Sequence, residues 1–238
     1  MDDDQSIIGE QIAYYRARAE EYDEWFLRRG RYDRGEEHRR EWSAEICRVE
    51  KDLREWAPLG DVLELACGTG LWTQVLAPLA TSVTAVDVAP EAIDINRHRT
   101  QSDRVHYVVA DLFDWTPLRA YDFVFFGFWL SHVPEERFEA FWRLVRAALR
   151  PGGRAFFVDG LLTQDSTAKD HCPIDLGGVV ERKLNDGRVF RIVKVFHEPA
   201  GLEKRLSALG WQGWVRSAGR FFYYGCVSAR CSERHTGE

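Results

Sequence analysis

Residues 62–72 constrain the fold of this chain more than any other stretch. A short apolar run over 62–66 leads into the turn Gly68-Thr69-Gly70, and apolar residues at helical spacing follow directly. This order predicts a strand, a tight turn and a helix. Glycine tolerates the backbone of such a turn and lets a ligand touch the main chain. We therefore expect a ligand-binding turn at the end of the first strand.

Strands and helices alternate along the middle of the chain. The apolar patterns predict strands over 62–66, 82–88, 105–110, 121–128 and 154–159, with helices over 71–79, 90–99 and 134–149. This alternation implies a parallel sheet with right-handed crossovers. Ligands bind such sheets at the carboxyl ends of their strands. Gly68, Asp87 and Asp111 lie at three such ends, so we expect them to meet in one crevice.

The pattern Glu64-x-x-x-Gly68-x-Gly70, with Asp87 at the end of the next strand, resembles that of the class I S-adenosylmethionine (SAM)-dependent methyltransferases. The resemblance covers roughly residues 60–160. A Rossmann dehydrogenase would have a third glycine where this chain has Thr73. The resemblance implies an α/β fold with a Rossmann-like, doubly wound seven-stranded sheet, an N-terminal helical lid and an inserted β-hairpin.

The same resemblance implies a binding site for SAM, with S-adenosylhomocysteine (SAH) as the product. Asp87 would accept hydrogen bonds from the ribose diol, and Asp111 would accept one from the adenine amino group. A turn-forming role is the alternative for Asp111. The predicted cofactor-binding residues are Tyr14, Tyr22, Glu64, Ala66, Gly68, Gly70, Trp72, Asp87, Val88, Asp111, Leu112, Phe113 and Phe128.

The N-terminal segment is predicted to be helical and to lie near the cofactor. Apolar side chains recur at steps of three or four over residues 7–29, and a second apolar stripe over 42–56 indicates a helix packed on the sheet. The resemblance implies that Tyr14 and Tyr22 contact the methionine carboxylate of SAM. Ordinary packing of these amphipathic tyrosines is the alternative.

The chain divides into five predicted parts. They are an N-terminal helical lid (1–57), a cofactor-binding core (58–159), a substrate-side loop and hairpin insertion (160–198), a closing helix and strands of the core sheet (199–228) and a tail (229–238). The hairpin is indicated by two apolar runs around Asn185-Asp186-Gly187. Because long irregular segments are typical of binding loops, we expect the insertion to lie over the mouth of the crevice.

Two histidines are candidate catalytic residues. His132 follows the fourth strand, where class I enzymes hold the transferable methyl group, and a histidine can take a proton from a phenol, amine or hydroxyl. Capping or packing of the next helix is the alternative role for His132. His171, beside Asp170, is the second candidate base. A base is optional, since proximity and orientation alone supply on the order of 7–11 kcal/mol.

Charge and cysteine content narrow the expected partners. The formal net charge of −6 provides no basic footprint for nucleic acid or an anionic membrane, which favours a small-molecule substrate. The chain shows no secretion signal and no apolar run of membrane-spanning length, so we expect a cytoplasmic protein, either a monomer or a homodimer. The cysteines are expected to be reduced thiols with no metal site: Cys47, Cys67, Cys172, Cys226 and Cys231.

Together these features predict a SAM-dependent methyltransferase that acts on an O or N atom of a small metabolite. An aromatic content of 13% favours a flat, ring-containing substrate. Two alternatives remain open. A protein of this fold can use the cofactor for a non-methylating reaction such as cyclisation, or it can bind without catalysis.

Overall fold

The structure, a computed structural model, describes residues 2–171 and 178–230, with side chains from residue 6 onward. Cys172, Cys231 and most of the predicted tail lie outside these ranges. The other three cysteines are free thiols: Cys47 is exposed, and Cys67 and Cys226 are buried. No helix among the described residues has the length and apolar character needed to cross a membrane.

A seven-stranded sheet forms the centre of the molecule. The described residues form nine strands in all, of which β6 and β7 lie outside this sheet: β1 (Asp61–Leu65), β2 (Ser82–Asp87), β3 (Val105–Val109), β4 (Tyr121–Gly127), β5 (Leu149–Gly160), β6 (Val179–Lys183), β7 (Val189–Val193), β8 (Trp211–Ser217) and β9 (Phe222–Ala229). The central sheet has the order β3-β2-β1-β4-β5-β9-β8. Strands β1 to β5 are parallel, whereas β9 runs antiparallel to both β5 and β8. The predicted doubly wound α/β sheet is confirmed.

Within the described ranges, seven α-helices accompany the sheet. They are α1 (Asp2–Arg18), α2 (Tyr22–Phe26), α3 (Glu36–Arg54), α4 (Thr73–Leu76), α5 (Pro90–Thr100), α6 (Phe138–Ala148) and α7 (Pro199–Ala208). The helix predicted over 7–29 is divided by a 3₁₀ turn at Ala19–Glu21. The helix predicted over 71–79 has only four residues, because Pro78 has no amide hydrogen with which to continue it.

Both faces of the central sheet are covered, as a parallel sheet requires. On β4, Phe125 points to one face and Phe126 to the other. The first face packs against the apolar stripe of α3, which consists of Trp42, Ile46, Val49 and Leu53. The second packs against α6 and α7 through Phe138, Phe141, Trp142, Val145, Leu202 and Leu206. The carboxyl ends of the strands are thereby held in fixed positions relative to one another.

Strands β6 and β7 form a separate antiparallel hairpin that packs on helix α1. Tyr14 is buried there among Val180, Leu184 and Ile192. Helix α1 and the hairpin therefore form one covering layer, although they are distant in the sequence. We call this layer, consisting of α1, β6 and β7, the cover.

Glu45 of α3 holds the loop that precedes β9. It is 4% exposed, and its carboxylate accepts hydrogen bonds from the backbone N–H groups of Arg220 at 2.6 Å, Phe221 at 3.0 Å and Phe222 at 3.1 Å. Buried hydrogen bonds to a charged group are among the stronger ones in proteins. Glu45 therefore links α3 to the sheet at its antiparallel end.

Replacement of Glu45 by Ala is expected to lower the free energy of unfolding by about 3 kcal/mol, because three buried N–H groups lose their acceptor. Urea denaturation would measure the change. Glu41→Ala is the matched control: this side chain is 43% exposed and its one ion pair with a described residue is that with Arg220, so its loss should cost less than about 1 kcal/mol. Equal effects of the two substitutions would contradict the proposed anchoring role.

Candidate active site

One large cleft lies at the carboxyl ends of β1 to β5. The residues that end these strands or follow them border it, namely Ala66, Asp87, Asp111, Phe128 and Gly160. The cover forms its opposite wall. The cleft contains about 1430 Å³ of empty space, including its solvent-open mouth.

The turn after β1 depends on two glycines with left-handed backbone conformations. Gly68 has a φ of +51° and Gly70 a φ of +89°. A Cβ on Gly70 would lie 2.4 Å from Asn96 Oδ1, so this glycine allows close packing against α5. A Cβ on Gly68 would meet nothing within 4 Å, and Gly68 borders the cleft. Gly68 thus leaves space for a ligand against the main chain.

Glu64 lies beneath this turn and does not border the cleft. Its Oε2 accepts a hydrogen bond from Thr73 Oγ1 at 2.6 Å, and that hydroxyl accepts one from Asn96 Nδ2 at 2.7 Å. Asn96 Nδ2 also donates to the carbonyl of Gly68 at 3.3 Å. Burial raises the pKa of Glu64 to about 8. The hydrogen bond from Thr73 lowers this pKa, and the negative charge of Asp87 raises it. Glu64 supports the turn from below.

Asp87 joins two loops at the edge of the cleft. Its Oδ2 accepts a hydrogen bond from the N–H of Gly68 at 2.8 Å, and its Oδ1 accepts one from the N–H of Ala89 at 2.9 Å. Burial raises the pKa of Asp87, and these backbone hydrogen bonds oppose that effect. Each carboxylate oxygen keeps a further acceptor site. Asp87 therefore fits the binding of a diol, as predicted for the ribose.

Asp111 borders the cleft beside Val88, Leu112 and Phe113. Its Oδ1 accepts a hydrogen bond from the N–H of Phe113 at 2.9 Å. This bond stabilises a turn, which is the alternative role predicted for Asp111. Within residues 2–171 and 178–230, its Oδ2 has no hydrogen-bond partner. Asp111 therefore combines a turn-forming oxygen with an available acceptor next to apolar side chains.

Trp72 and Phe128 have different positions although both were predicted at the cofactor site. Trp72 is buried against β4, with its ring centroid 5.2 Å from that of Phe125, and it does not border the cleft. Phe128 does border it, and its φ of +58° turns the chain at the end of β4. The rings of Phe128 and Trp25 are nearly perpendicular, and their centroids lie 4.9 Å apart. These aromatic rings give the cleft an apolar wall.

Tyr14 and Tyr22 both border the cleft, together with their neighbour Tyr15. The guanidinium of Arg18 lies 5.4 Å from the ring centroid of Tyr14 and 4.9 Å from that of Tyr22. The hydroxyl of Tyr15 is buried and has no hydrogen-bond partner among the described residues. Tyr15 faces the interior of the cleft, so it is a further candidate for ligand contact.

His132 lies at the end of the 3₁₀ turn that follows β4, with its imidazole bordering the cleft. Its Nδ1 is 2.9 Å from the carbonyl oxygen of Val193. A carbonyl oxygen can only accept, so Nδ1 carries the proton and Nε2 keeps a free lone pair. Burial lowers the pKa of His132 well below its ordinary value, and the charges of Lys194, Arg18 and Arg182 lower it further. The structure thus holds a neutral imidazole in the tautomer of a general base.

His171 also borders the cleft, but its environment differs. Its Nε2 is 3.2 Å from the carbonyl oxygen of Lys183, and its buried Nδ1 has no partner among the described residues. Burial and the charge of Arg182 lower its pKa to about 4. The carboxylate of Asp170, the acid predicted to act with it, lies 2.9 Å from the guanidinium of Arg31.

Several residues of the site carried no recognised signal in the sequence. Gln11 accepts a hydrogen bond from the N–H of Val193 at 2.9 Å and donates one to the carbonyl of His132 at 3.1 Å. Two cations, Arg182 and Lys194, border the cleft from the hairpin side. The sequence of the hairpin did contain one indication of this. Side chains alternate between the two faces of a strand, and Arg182 lies on the same face of β6 as the buried Val180.

Comparison with known proteins agrees with this geometry. Residues 62–153 match the model of a methyltransferase domain family. Nodulation protein S of Rhizobium tropici is 33% identical over 104 residues, which are 42% of this chain and 43% of that protein. A ubiquinone biosynthesis O-methyltransferase of Xanthomonas axonopodis pv. citri (strain 306) is 36% identical over 99 residues, 40% of this chain and 41% of that protein. The chain thus spans less than half the length of these curated relatives.

Solved structures match almost the entire chain. A DhpI–SAH complex is 42% identical, has a TM-score of 0.79, and the match covers 95% of this chain and 98% of that one. A DhpI–SAM–HEP complex is also 42% identical, with a TM-score of 0.77 and coverage of 93% and 97%. The family match, these SAH and SAM complexes and the arrangement of the cleft show that the chain belongs to the class I SAM-dependent methyltransferases.

Proposed function

We propose that this enzyme transfers the methyl group of SAM to an oxygen or nitrogen atom of a small metabolite. The observation that carries the proposal is the position of His132. His132 borders the same cleft as Gly68 and Asp87, and because its Nδ1 donates to the carbonyl of Val193, its Nε2 is unprotonated. A proton acceptor beside a cofactor site suits an acceptor atom that must lose a proton, as a hydroxyl or an amine does.

In this proposal, the carboxyl ends of the strands hold the cofactor. Asp87 binds the ribose diol, and the free Oδ2 of Asp111 accepts a hydrogen bond from the adenine amino group. Val88 and Phe113 enclose the adenine ring. The spare acceptor sites of Asp87 and the open space over Gly68 support this assignment.

The chain's own residues then have three tasks: to orient the acceptor, to exclude water and to receive a proton. SAM, when bound, supplies a methyl group made electrophilic by its sulfonium. His132 Nε2 receives the proton of the acceptor, while the carbonyl of Val193 keeps the imidazole in place. Aromatic side chains from Phe128 and Trp129 border the same space and restrict the access of water. Orientation contributes on the order of 7–11 kcal/mol to such reactions.

Two relatives support a small acceptor. One of the partly matching proteins is a ubiquinone biosynthesis O-methyltransferase, which is consistent with methylation of an oxygen atom. A DhpI structure holds SAM together with HEP, which is consistent with a cofactor and a second molecule in one site. The aromatic walls of the cleft are also compatible with a ring-containing acceptor.

The test is a methyl-transfer assay with the purified full-length protein, SAM carrying an isotopically labelled methyl group, and a panel of small alcohols, phenols and amines. We expect SAH and a singly methylated product in equal amounts from at least one acceptor. Consumption of SAM with formation of an unmethylated, cyclised product would contradict the proposal. So would an absence of SAH binding in calorimetry.

A further inference from the structure

Three cations border the cleft on the side of the cover. Arg182 belongs to β6, Lys194 directly follows β7, and Arg18 ends helix α1. The opposite side of the cleft carries the carboxylates of Asp87 and Asp111. The cleft is therefore acidic on the side of the strand ends and basic next to the hairpin.

Arg182 is a buried charge without an acidic partner. It is 8% exposed, and its Nη1 donates a hydrogen bond to the carbonyl of its neighbour Glu181 at 3.0 Å. Among the described residues no carboxylate lies within 4 Å of its guanidinium. An arginine remains protonated in proteins, and an uncompensated buried charge is costly. Binding of an anion would compensate this charge.

Lys194 is only partly compensated. Its Nζ donates to Ser131 Oγ at 2.7 Å and lies 3.9 Å from Asp159 Oδ1. That carboxylate already accepts hydrogen bonds from the backbone N–H groups of Ser131 and Gly160, and from the Ser131 hydroxyl. Burial lowers the pKa of Lys194 to about 8, against the effect of Asp159, so the ammonium form still predominates at neutral pH.

Arg18 adds a third charge, again with no ion pair among the described residues. Its guanidinium lies over the rings of Tyr14, Tyr22 and Trp25 at 4.9–5.9 Å. The nearby acid Glu21 does not border the cleft, and it accepts a hydrogen bond from the N–H of Asn185 at 3.1 Å. Of the carboxylates that the described residues contribute to the lining of the cleft, only that of Asp159 lies near these three cations.

We propose that Arg182 and Lys194 bind an oxyanion group of the methyl acceptor, either a carboxylate or a phosphate. This inference rests on the proposed function and narrows its substrate class to small anionic molecules. Guanidinium and ammonium groups together are well suited to such oxygens. In this proposal the carboxylate of SAM is assigned to Arg18, whose guanidinium lies 4.9 Å from the ring centroid of Tyr22, and both hairpin cations are assigned to the acceptor.

The position of these cations relative to His132 suggests that a bound anionic group would orient the acceptor. His132 Nδ1 is bound to the carbonyl of Val193, the residue before Lys194, so the base and this cation are held by adjacent residues of one segment. An acceptor held by its anionic group at Lys194 and Arg182 would present a neighbouring hydroxyl or amine to the imidazole. The anion thus positions the acceptor and does not itself need to lose a proton.

Isothermal titration calorimetry on the SAH-loaded enzyme tests this inference. Sodium phosphate and sodium acetate are titrated separately at constant ionic strength. We expect saturable binding of at least one of them, and the preferred anion identifies the source of the oxyanion. Arg182→Gln and Lys194→Gln should each weaken that binding about 10- to 100-fold, since each removes a charge-assisted hydrogen bond, while SAH affinity stays within about twofold.

Arg191→Gln is the matched control. This arginine belongs to β7 but is exposed and pairs with Glu10 at 3.0 Å, so its loss should leave anion binding unchanged. If Arg182→Gln does not fold, Lys194→Gln and the charge-retaining Arg182→Lys provide the comparison. The inference is overturned if neither anion binds, or if the folded hairpin variants bind as well as the wild type. Loss of SAH binding by the wild type would instead overturn the proposed function.

Discussion

Asp87→Asn is expected to weaken SAH binding more than 100-fold. The carboxylate holds the N–H groups of Gly68 and Ala89 with separate oxygens, and each oxygen keeps an acceptor site for a ribose hydroxyl. Asparagine has one carbonyl oxygen, so its NH₂ group would face a backbone N–H. Loss of two hydrogen bonds to a charged group corresponds to about 3 kcal/mol or more, which is over two powers of ten in affinity.

Calorimetric titration of SAH into the variant would measure this effect. Asp94→Asn is the control, because Asp94 is an exposed residue of α5 and does not border the cleft. Its replacement should leave the affinity within about twofold, as is usual for surface substitutions. An Asp87→Asn variant that is folded and binds SAH as tightly as the wild type would refute the cofactor assignment.

His132→Ala is expected to lower kcat by about 100- to 10,000-fold for an acceptor with a hydroxyl or protonated amine, because general-base catalysis contributes that much. SAH affinity should change little. His171→Ala is the comparison variant. His171 borders the same cleft and is the second candidate for the catalytic base. If His171→Ala loses activity and His132→Ala does not, the roles are reversed. Unchanged turnover in both would leave orientation alone as the mechanism.

The pH profile provides an independent readout for His132. Only the neutral imidazole can accept a proton, so kcat should decline as pH falls through its pKa. Burial and the charges of Lys194, Arg18 and Arg182 place this pKa well below the ordinary value of 6.5, against the hydrogen bond to Val193. We therefore expect kcat to stay constant as pH falls through 6.5, with the decline only at lower pH. A midpoint at 6.5 or above would contradict the proposed environment.

The central architecture could be predicted because it depends on local patterns. Alternating strand and helix signals imply parallel crossovers, and parallel crossovers bring Gly68, Asp87 and Asp111 to one edge of the sheet. These three residues do border one cleft. The short α4 was missed because helical spacing continues past Leu76, whereas Pro78 interrupts the hydrogen-bond pattern.

The basic side of the cleft could not be predicted, because it depends on packing between distant segments. Arg182 borders the cleft only because the hairpin packs on α1. In the same way, the tautomer of His132 is set by the carbonyl of Val193, in another part of the fold. A charged residue on the inward face of a predicted hairpin is the feature that would have indicated this site.

Gln11 of helix α1 links the hairpin to the turn that carries His132. Its amide holds the N–H of Val193 and the carbonyl of His132, both at the site where the base is oriented. A displacement of α1 relative to both partners would break these two bonds together. The N-terminal helix is thus coupled through one amide to the segment that orients the catalytic candidate His132.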